Sequence, residues 1–210
     1  MTENDIREQM VVHGRSLFER RYTCGGSGNM SARLTDGVLV TPTNSCLGRL
    51  ERDRISKLDG DGKLISGDPP SKEWALHLAV YRARPNAGAV VHLHSTHAVA
   101  VSVLADADPA DVLPALTAYY AMRIGTLPLL PYFAPGDPAL TDAVGRVASR
   151  HHAVLLANHG PVVSGASLAA AADAIEELEA TAKLWLLVRH DRVRTLEPGQ
   201  VAELRRRHPR

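Results

Sequence analysis

The stretch Ala89-Val90-Val91-His92-Leu93-His94 constrains the fold more than any other segment of the chain. Its apolar residues predict a buried strand over 89–94. Two histidines interrupt it at positions i and i+2. In an extended chain such residues share one face, about 6.6 Å apart at Cα. Val91 and Leu93 then point the other way, into the core. Buried imidazoles need polar partners. Any fold this chain adopts must therefore bring further groups to His92 and His94.

The remaining composition narrows the function classes. A length of 210 residues suits one domain and buries a core without disulfide staples. Lys+Arg is 24 against 23 for Asp+Glu, so no basic field exists to recruit nucleic acid. No apolar run approaches the 18 or more residues of a membrane span. Cys24 and Cys46 form no CxxC pair and no disulfide framework, and both read as small packing residues. The start Met1-Thr2-Glu3-Asn4-Asp5 is polar and acidic, unlike a signal peptide. The expectation is a cytoplasmic protein with neither nucleic acid nor membrane as a partner. Ten histidines against 4% aromatic residues point to a metal or acid–base site rather than a stacking surface.

Periodicity and turn residues give the order of elements. A helix is expected over 5–22, short strands over 30–34 and 38–40, and a hairpin over 57–65 around Asp59-Gly60-Asp61-Gly62. Ser71 is a candidate cap for a helix over 72–83. A helix over 98–104, an ambiguous stretch over 114–124 and a short strand over 127–132 follow the 89–94 strand. Next come a helix over 137–150, strands over 153–157 and 162–163, and a long helix over 168–188. The tail 205–210 is expected to fray. The fold class is α/β: a single three-layer domain with a central, mostly antiparallel sheet flanked by helices.

His159 sits in the turn Asn158-His159-Gly160-Pro161 after an apolar strand, and Glu73 opens a helix. Three histidines and a carboxylate form a set suited to zinc or a similar divalent ion. The residues alone leave open a pair of satisfied structural histidines. His97 either faces the substrate or caps the following helix. His13, His77, His151, His152, His190 and His208 read as surface or packing residues. Gly25-Gly26-Ser27-Gly28-Asn29, Thr41-Pro42-Thr43-Asn44-Ser45 and Ser71-Lys72 offer backbone N–H groups, hydroxyls, an amide and a cation. Together they could bind a phosphate monoester. Three ordinary polar turns are the alternative. The glycine segment is neither a P-loop nor a Rossmann fingerprint nor a nucleophile elbow.

Five segments in order carry a resemblance. They are Gly28-Asn29-Met30-Ser31-Ala32-Arg33, Thr41-Pro42-Thr43, Ser71-Lys72-Glu73-Trp74, His92-Leu93-His94-Ser95-Thr96-His97 and Asn158-His159-Gly160-Pro161. From about residue 5 to 190 the chain resembles the class II aldolase/adducin family. Thr43 to Leu50 and the stretch from Pro131-Tyr132 to Gly136-Asp137-Pro138 are similar to its 3-oxo-tetronate 4-phosphate decarboxylase branch.

The resemblance implies one divalent metal ion, held by Glu73, His92, His94 and His159, with zinc the natural choice. It implies that Glu73 is also the acid/base, and that Gly28, Asn29, Thr43, Asn44, Ser71 and Lys72 bind phosphate and substrate. In the family's aldolases the position of Lys72 is often serine and that of Asn44 often glycine. A mid-chain tyrosine acts across a subunit interface, and Tyr119 is the nearest match, with Tyr120 the next. The implied reaction is decarboxylation of a 3-oxo-tetronate 4-phosphate to dihydroxyacetone phosphate and CO2 through a metal-stabilised enediolate. A fuculose- or rhamnulose-type sugar-phosphate aldolase is the alternative, and a non-enzymatic adducin-like module is a third reading. The implied partner is a small phosphorylated sugar acid or ketose, and the implied assembly is a homotetramer with sites between subunits.

Overall fold

The computed structural model describes residues 1–207. The first helix, α1 (Glu3–Glu19), opens at a reciprocal cap: Asp5 N–H donates to Thr2 Oγ1, and Thr2 N–H donates to Asp5 Oδ2. Eight strands follow. They are β1 (Asn29–Arg33), β2 (Val38–Val40), β3 (Ser56–Leu58), β4 (Leu64–Ser66), β5 (Ala89–His92), β6 (Leu129–Leu130), β7 (Ala153–Leu156) and β8 (Gly160–Gly165). They form one sheet in the order β4-β3-β2-β1-β5-β8-β7-β6. Among the described residues only β6 and β7 pair in parallel. The other helices are α2 (Trp74–Ala83), α3 (Thr96–Ser102), α4 (Ala118–Arg123), α5 (Pro138–Ala148), α6 (Leu168–Val188) and α7 (Pro198–Arg207).

The alternation of strand side chains divides the core into two layers. Met30, Leu39, Val91, Leu155 and Val163 pack with Met10, Leu17, Ile175 and Leu178, and so with α1 and α6. Val40, Val90, Val154 and Val162 pack on the opposite face with Leu76, Val80, Leu140 and Val144, and so with α2 and α5. Each side chain of this size, fully buried, contributes about 1.5–3 kcal/mol. The three-layer α/β architecture with a mostly antiparallel sheet is the one expected from the sequence.

Three local expectations are corrected. The strand expected over 89–94 ends at His92, because the chain turns toward α3. The stretch left ambiguous over 114–124 contains α4, capped by Thr117, whose Oγ1 accepts from Tyr120 N–H. Residues 205–207, expected to fray, complete α7, a helix with no buried residue and hence no apolar stripe to signal it. Residues 208–210 of the expected tail lie outside the described residues.

Gly160 begins β8 with φ +148°, and a Cβ there would stand 2.2 Å from the Leu93 carbonyl oxygen. That close approach locks the His159 turn against the segment carrying His94. Gly160→Ala is expected to destabilise the protein by about 2 kcal/mol or more. Urea denaturation measures this; a loss below about 0.5 kcal/mol would contradict the packing described.

Candidate metal centre

Four side chains meet where β5 ends. His92 is its last residue and lies opposite Asn29 of β1 and Val162 of β8. His94 follows in the connection to α3. His159 comes from the turn between β7 and β8, where Asn158 adopts φ +57°. Glu73 caps the start of α2. His92 Nε2 lies 3.1 Å from His94 Nε2 and 3.3 Å from His159 Nε2. Glu73 Oε2 is 3.5 Å from His92 Nε2, and Oε1 is 3.3 Å from His159 Nε2. The four donor atoms all lie within 4.8 Å of one another. Among the described residues this is the one group of three or more His, Cys, Asp or Glu that could hold a metal ion.

The hydrogen bonds fix the protonation of the first ring. His92 Nδ1 donates to the Pro161 carbonyl at 2.9 Å, so Nε2 presents a bare lone pair to its neighbours. That lone pair can accept an N–H from only one of the two rings at 3.1 and 3.3 Å, whereas a cation between them would satisfy all three nitrogens at once. An ion bound tetrahedrally at about 2.05 Å sets its donors roughly 3.3 Å apart. The donor set and spacing therefore fit a divalent cation.

The electrostatics agree. Burial pushes His92 down to about 4 against the opposing pull of Glu73, which keeps the imidazole neutral. Burial also lowers His94. Burial alone would raise the Glu73 carboxyl, but His92, His159 and the Asn29 hydrogen bond outweigh it and hold the group well below the usual carboxylate range. Asn29 Nδ2 donates to Glu73 Oε2 at 2.7 Å, while the buried Oε1 accepts no well-directed hydrogen bond. That oxygen is left available to a cation or a proton.

The comparisons with known proteins bear on this constellation. The family model for the class II aldolase and adducin N-terminal domain matches residues 8–186. The chain belongs to the class II aldolase and adducin family. It is 48% identical over 208 residues to a 3-oxo-tetronate 4-phosphate decarboxylase of Haemophilus influenzae, covering 99% of both chains. It is 34% identical over 187 residues to the L-fuculose phosphate aldolase of Escherichia coli K12, covering 89% of this chain and 85% of that one. The crystal structure of YgbL from Klebsiella pneumoniae superposes with a TM-score of 0.95 at 46% identity, covering 98% of this chain and all of the other.

In this class II aldolase-type domain the three segments expected to form a phosphate site lie side by side. Thr43 N–H donates to the Pro69 carbonyl, and Ser71 N–H to that of Thr41. Gly26 packs on the backbone of Asn44 and Ser45. Gly28, at φ +79°, lets the chain pass the His92 carbonyl, which a Cβ would approach to 2.9 Å. Thr43 and Asn44 line a cleft of about 350 Å³ together with Arg49 and Arg54. Arg54 is paired to Asp68 and Glu51, whereas Arg49 makes no ion pair among the described residues. Lys72 lines a small neighbouring cleft beside Gly136 and Asp137. A wider opening of about 580 Å³ exposes His94 and His159 beneath Tyr132 and Phe133.

Other expected site residues lie elsewhere. Tyr119 stands on the surface of α4, 61% exposed, and does not join the cluster within its own chain. Tyr120, the second choice, is fully buried in the core and cannot reach out to a neighbour. His97 does not cap α3 itself; Glu179 of α6 does so, accepting from His97 N–H, Ala98 N–H and His97 Nδ1.

His77, read from the sequence as a surface or packing residue, is a packing residue with polar partners. It is fully buried, and its Nε2 bonds Asn29 Oδ1, one step from Glu73. The available signal was its offset of four from Glu73, which places both on one face of a helix.

Burial pushes His77 down to about 3. Folded protein keeps His77 and His92 neutral, while unfolded chains protonate them below about pH 6.5. The unfolded state then binds more protons, so stability of the metal-free protein is expected to fall as pH drops from about 6.5 toward 3–4 and to be insensitive to these groups above that range. His77→Gln removes one share, so its urea midpoint should fall less between pH 7 and pH 5 than that of wild type. Parallel curves would refute this assignment.

Proposed function

We propose that this protein is a divalent-metal-dependent lyase that decarboxylates a 3-oxo-tetronate 4-phosphate to dihydroxyacetone phosphate and CO2. The observation that carries the reading is the convergence of His92, His94, His159 and Glu73 within 4.8 Å, beside the hydroxyl- and amide-bearing loops. The near-full-length 48% identity to named decarboxylases, against 34% to named aldolases, supports the choice between two lyases. The intact Glu/His set argues against a purely adducin-like module.

His92, His94, His159 and Glu73 would hold the ion, and the nitrogen-rich donor set favours zinc. When bound, the ion would supply Lewis acidity to the substrate's ketone oxygen. The bond that breaks joins the carboxylate carbon to C2, and its electron pair stays on C2 beside the ketone. A proton must then reach C2. It comes from water: Glu73, ionised at rest, would take it up at Oε1, the carboxylate oxygen without a well-directed donor, and pass it to C2.

Gly28, Thr43, Asn44, Ser71 and Lys72 hold the phosphate end, so binding far from the reacting bond orients it. The Lys72 cation suits a substrate that carries both carboxylate and phosphate. Exposed Tyr119 serves a neighbouring subunit's site in a homotetramer, and the enzyme works in the cytoplasm.

A coupled assay for dihydroxyacetone phosphate and CO2 tests the reaction on phosphorylated 3-keto acids and ketoses. Equal release of both products from a 3-oxo-tetronate 4-phosphate is expected. Aldehyde release from fuculose 1-phosphate, without CO2 from any keto acid, would assign the aldolase activity instead.

Elemental analysis of the purified protein is expected to find about one zinc per chain, lost in His92→Ala and on chelation together with activity. Full activity in protein stripped of metal would end the proposal.

A further inference from the structure

Five polar side chains run in one buried line from the sheet to the metal centre. Tyr81 OH bonds Ser31 Oγ at 2.8 Å, and Ser31 Oγ bonds His77 Nδ1 at 2.7 Å. His77 Nε2 bonds Asn29 Oδ1 at 2.5 Å, and Asn29 Nδ2 bonds Glu73 Oε2 at 2.7 Å. The line follows from two periodicities. Glu73, His77 and Tyr81 are four apart on α2, and Asn29 and Ser31 are two apart on β1. A helical stripe thus meets one strand face, residue for residue. Around it the same layer is apolar: Leu76, Val80, Val40 and Val90. Packing alone would be met by more of the same.

The direction of every bond follows from the end at Glu73. An ionised carboxylate only accepts, so the Asn29 amide must turn its N–H to Oε2. Its carbonyl then faces His77, which must carry its proton on Nε2. His77 Nδ1 is therefore bare and accepts from the Ser31 hydroxyl, which in turn accepts from Tyr81. Ser31 and His77 are fully inaccessible to water. A flipped amide would set a carbonyl against the carboxylate, and every bond behind it would have to reverse. One Nδ2 hydrogen and one Oδ1 lone pair of Asn29 are engaged in this line, which leaves its second N–H for substrate.

We propose that His77, backed by Ser31 and Tyr81, is a positioning residue that locks the Asn29 amide so that Glu73 is held by Oε2 and keeps Oε1 turned toward His159. The inference rests on the role given to Glu73 under the proposed function. It adds that the orientation of this carboxylate is set by buried residues that touch neither metal nor substrate. Partners hydrogen-bonded directly behind a ligand, as Asn29 is behind Glu73, alter metal affinity by about 10–100-fold when removed, and His77 acts through Asn29.

The test uses the full chain and three variants, with Zn2+ as the probe. His77→Leu removes both hydrogen bonds, His77→Gln can replace both, and Ser31→Ala removes only the hydroxyl behind the ring. Zn2+ affinity is read by chelator competition on metal-stripped protein, alongside melting temperature and the split of kcat from KM in the CO2-release assay. His77→Leu is expected to weaken Zn2+ binding about tenfold or more and to lower kcat with KM within twofold, and His77→Gln to recover most of both. If His77→Leu does not fold, Ser31→Ala decides, with an expected loss of severalfold in Zn2+ affinity at a melting temperature close to wild type.

Wild-type Zn2+ affinity in folded His77→Leu or Ser31→Ala overturns the proposal, as does a glutamine variant no better than leucine. Wild-type protein that binds no Zn2+ overturns the reading of the centre and this inference with it. Wild-type protein that binds Zn2+ but releases no CO2 refutes the substrate assignment alone, and the affinities still decide the role of His77.

Discussion

The crowding of three imidazole nitrogens and a carboxylate around one point is the constraint around which the rest of this molecule is arranged. The polypeptide spends folding free energy to bring three imidazoles and a carboxylate into contact. It does so with rigid devices: a strand end for His92, a Pro161 carbonyl that fixes the ring's tautomer, and a glycine turn pressed on the Leu93 carbonyl. The glycine turn admits no larger residue without a shift of the backbone it presses on. A cation accounts for this convergence, since it gives all four donors one common partner.

The two-layer core explains how such a centre is kept rigid. Central strands are covered on both faces, so a side chain at a strand end has little freedom to swing. The acidic partner arrives from a helix rather than a strand, and α2 packs on the same sheet face that carries Asn29 and His92. Helix and strand periodicities coincide over about two turns there. Apart from Glu73 Oε1, the polar groups of the line from Tyr81 to Glu73 have their partners, and the layer around them is apolar.

Much of this was readable before any coordinates. The alternation in 89–94 put His92 and His94 on one side, the turn around His159 announced a functional loop, and the element order carried the three-layer architecture. What escaped detection has physical reasons. Position 94 lies beyond the strand, because the chain must turn toward α3, and hydropathy does not mark that turn. α7 buries nothing and offers no periodic signal. A single histidine on an apolar helix face looks like packing, so His77 shows its partner only when β1 is laid against α2. The tyrosine is a matter of assembly: a residue exposed on α4 derives any catalytic meaning from another subunit.

The placement of Glu73 at the head of a helix on one side of the sheet gives the centre a handedness. Under the chemistry proposed, a planar carbon has two faces, and a carboxylate anchored on a single flank can reach only one of them. The hydroxymethyl group that results has two hydrogens that are chemically alike but spatially distinct. Turnover in heavy water would then leave deuterium in the same one of those two positions on every molecule, a chirality written by the side from which α2 approaches.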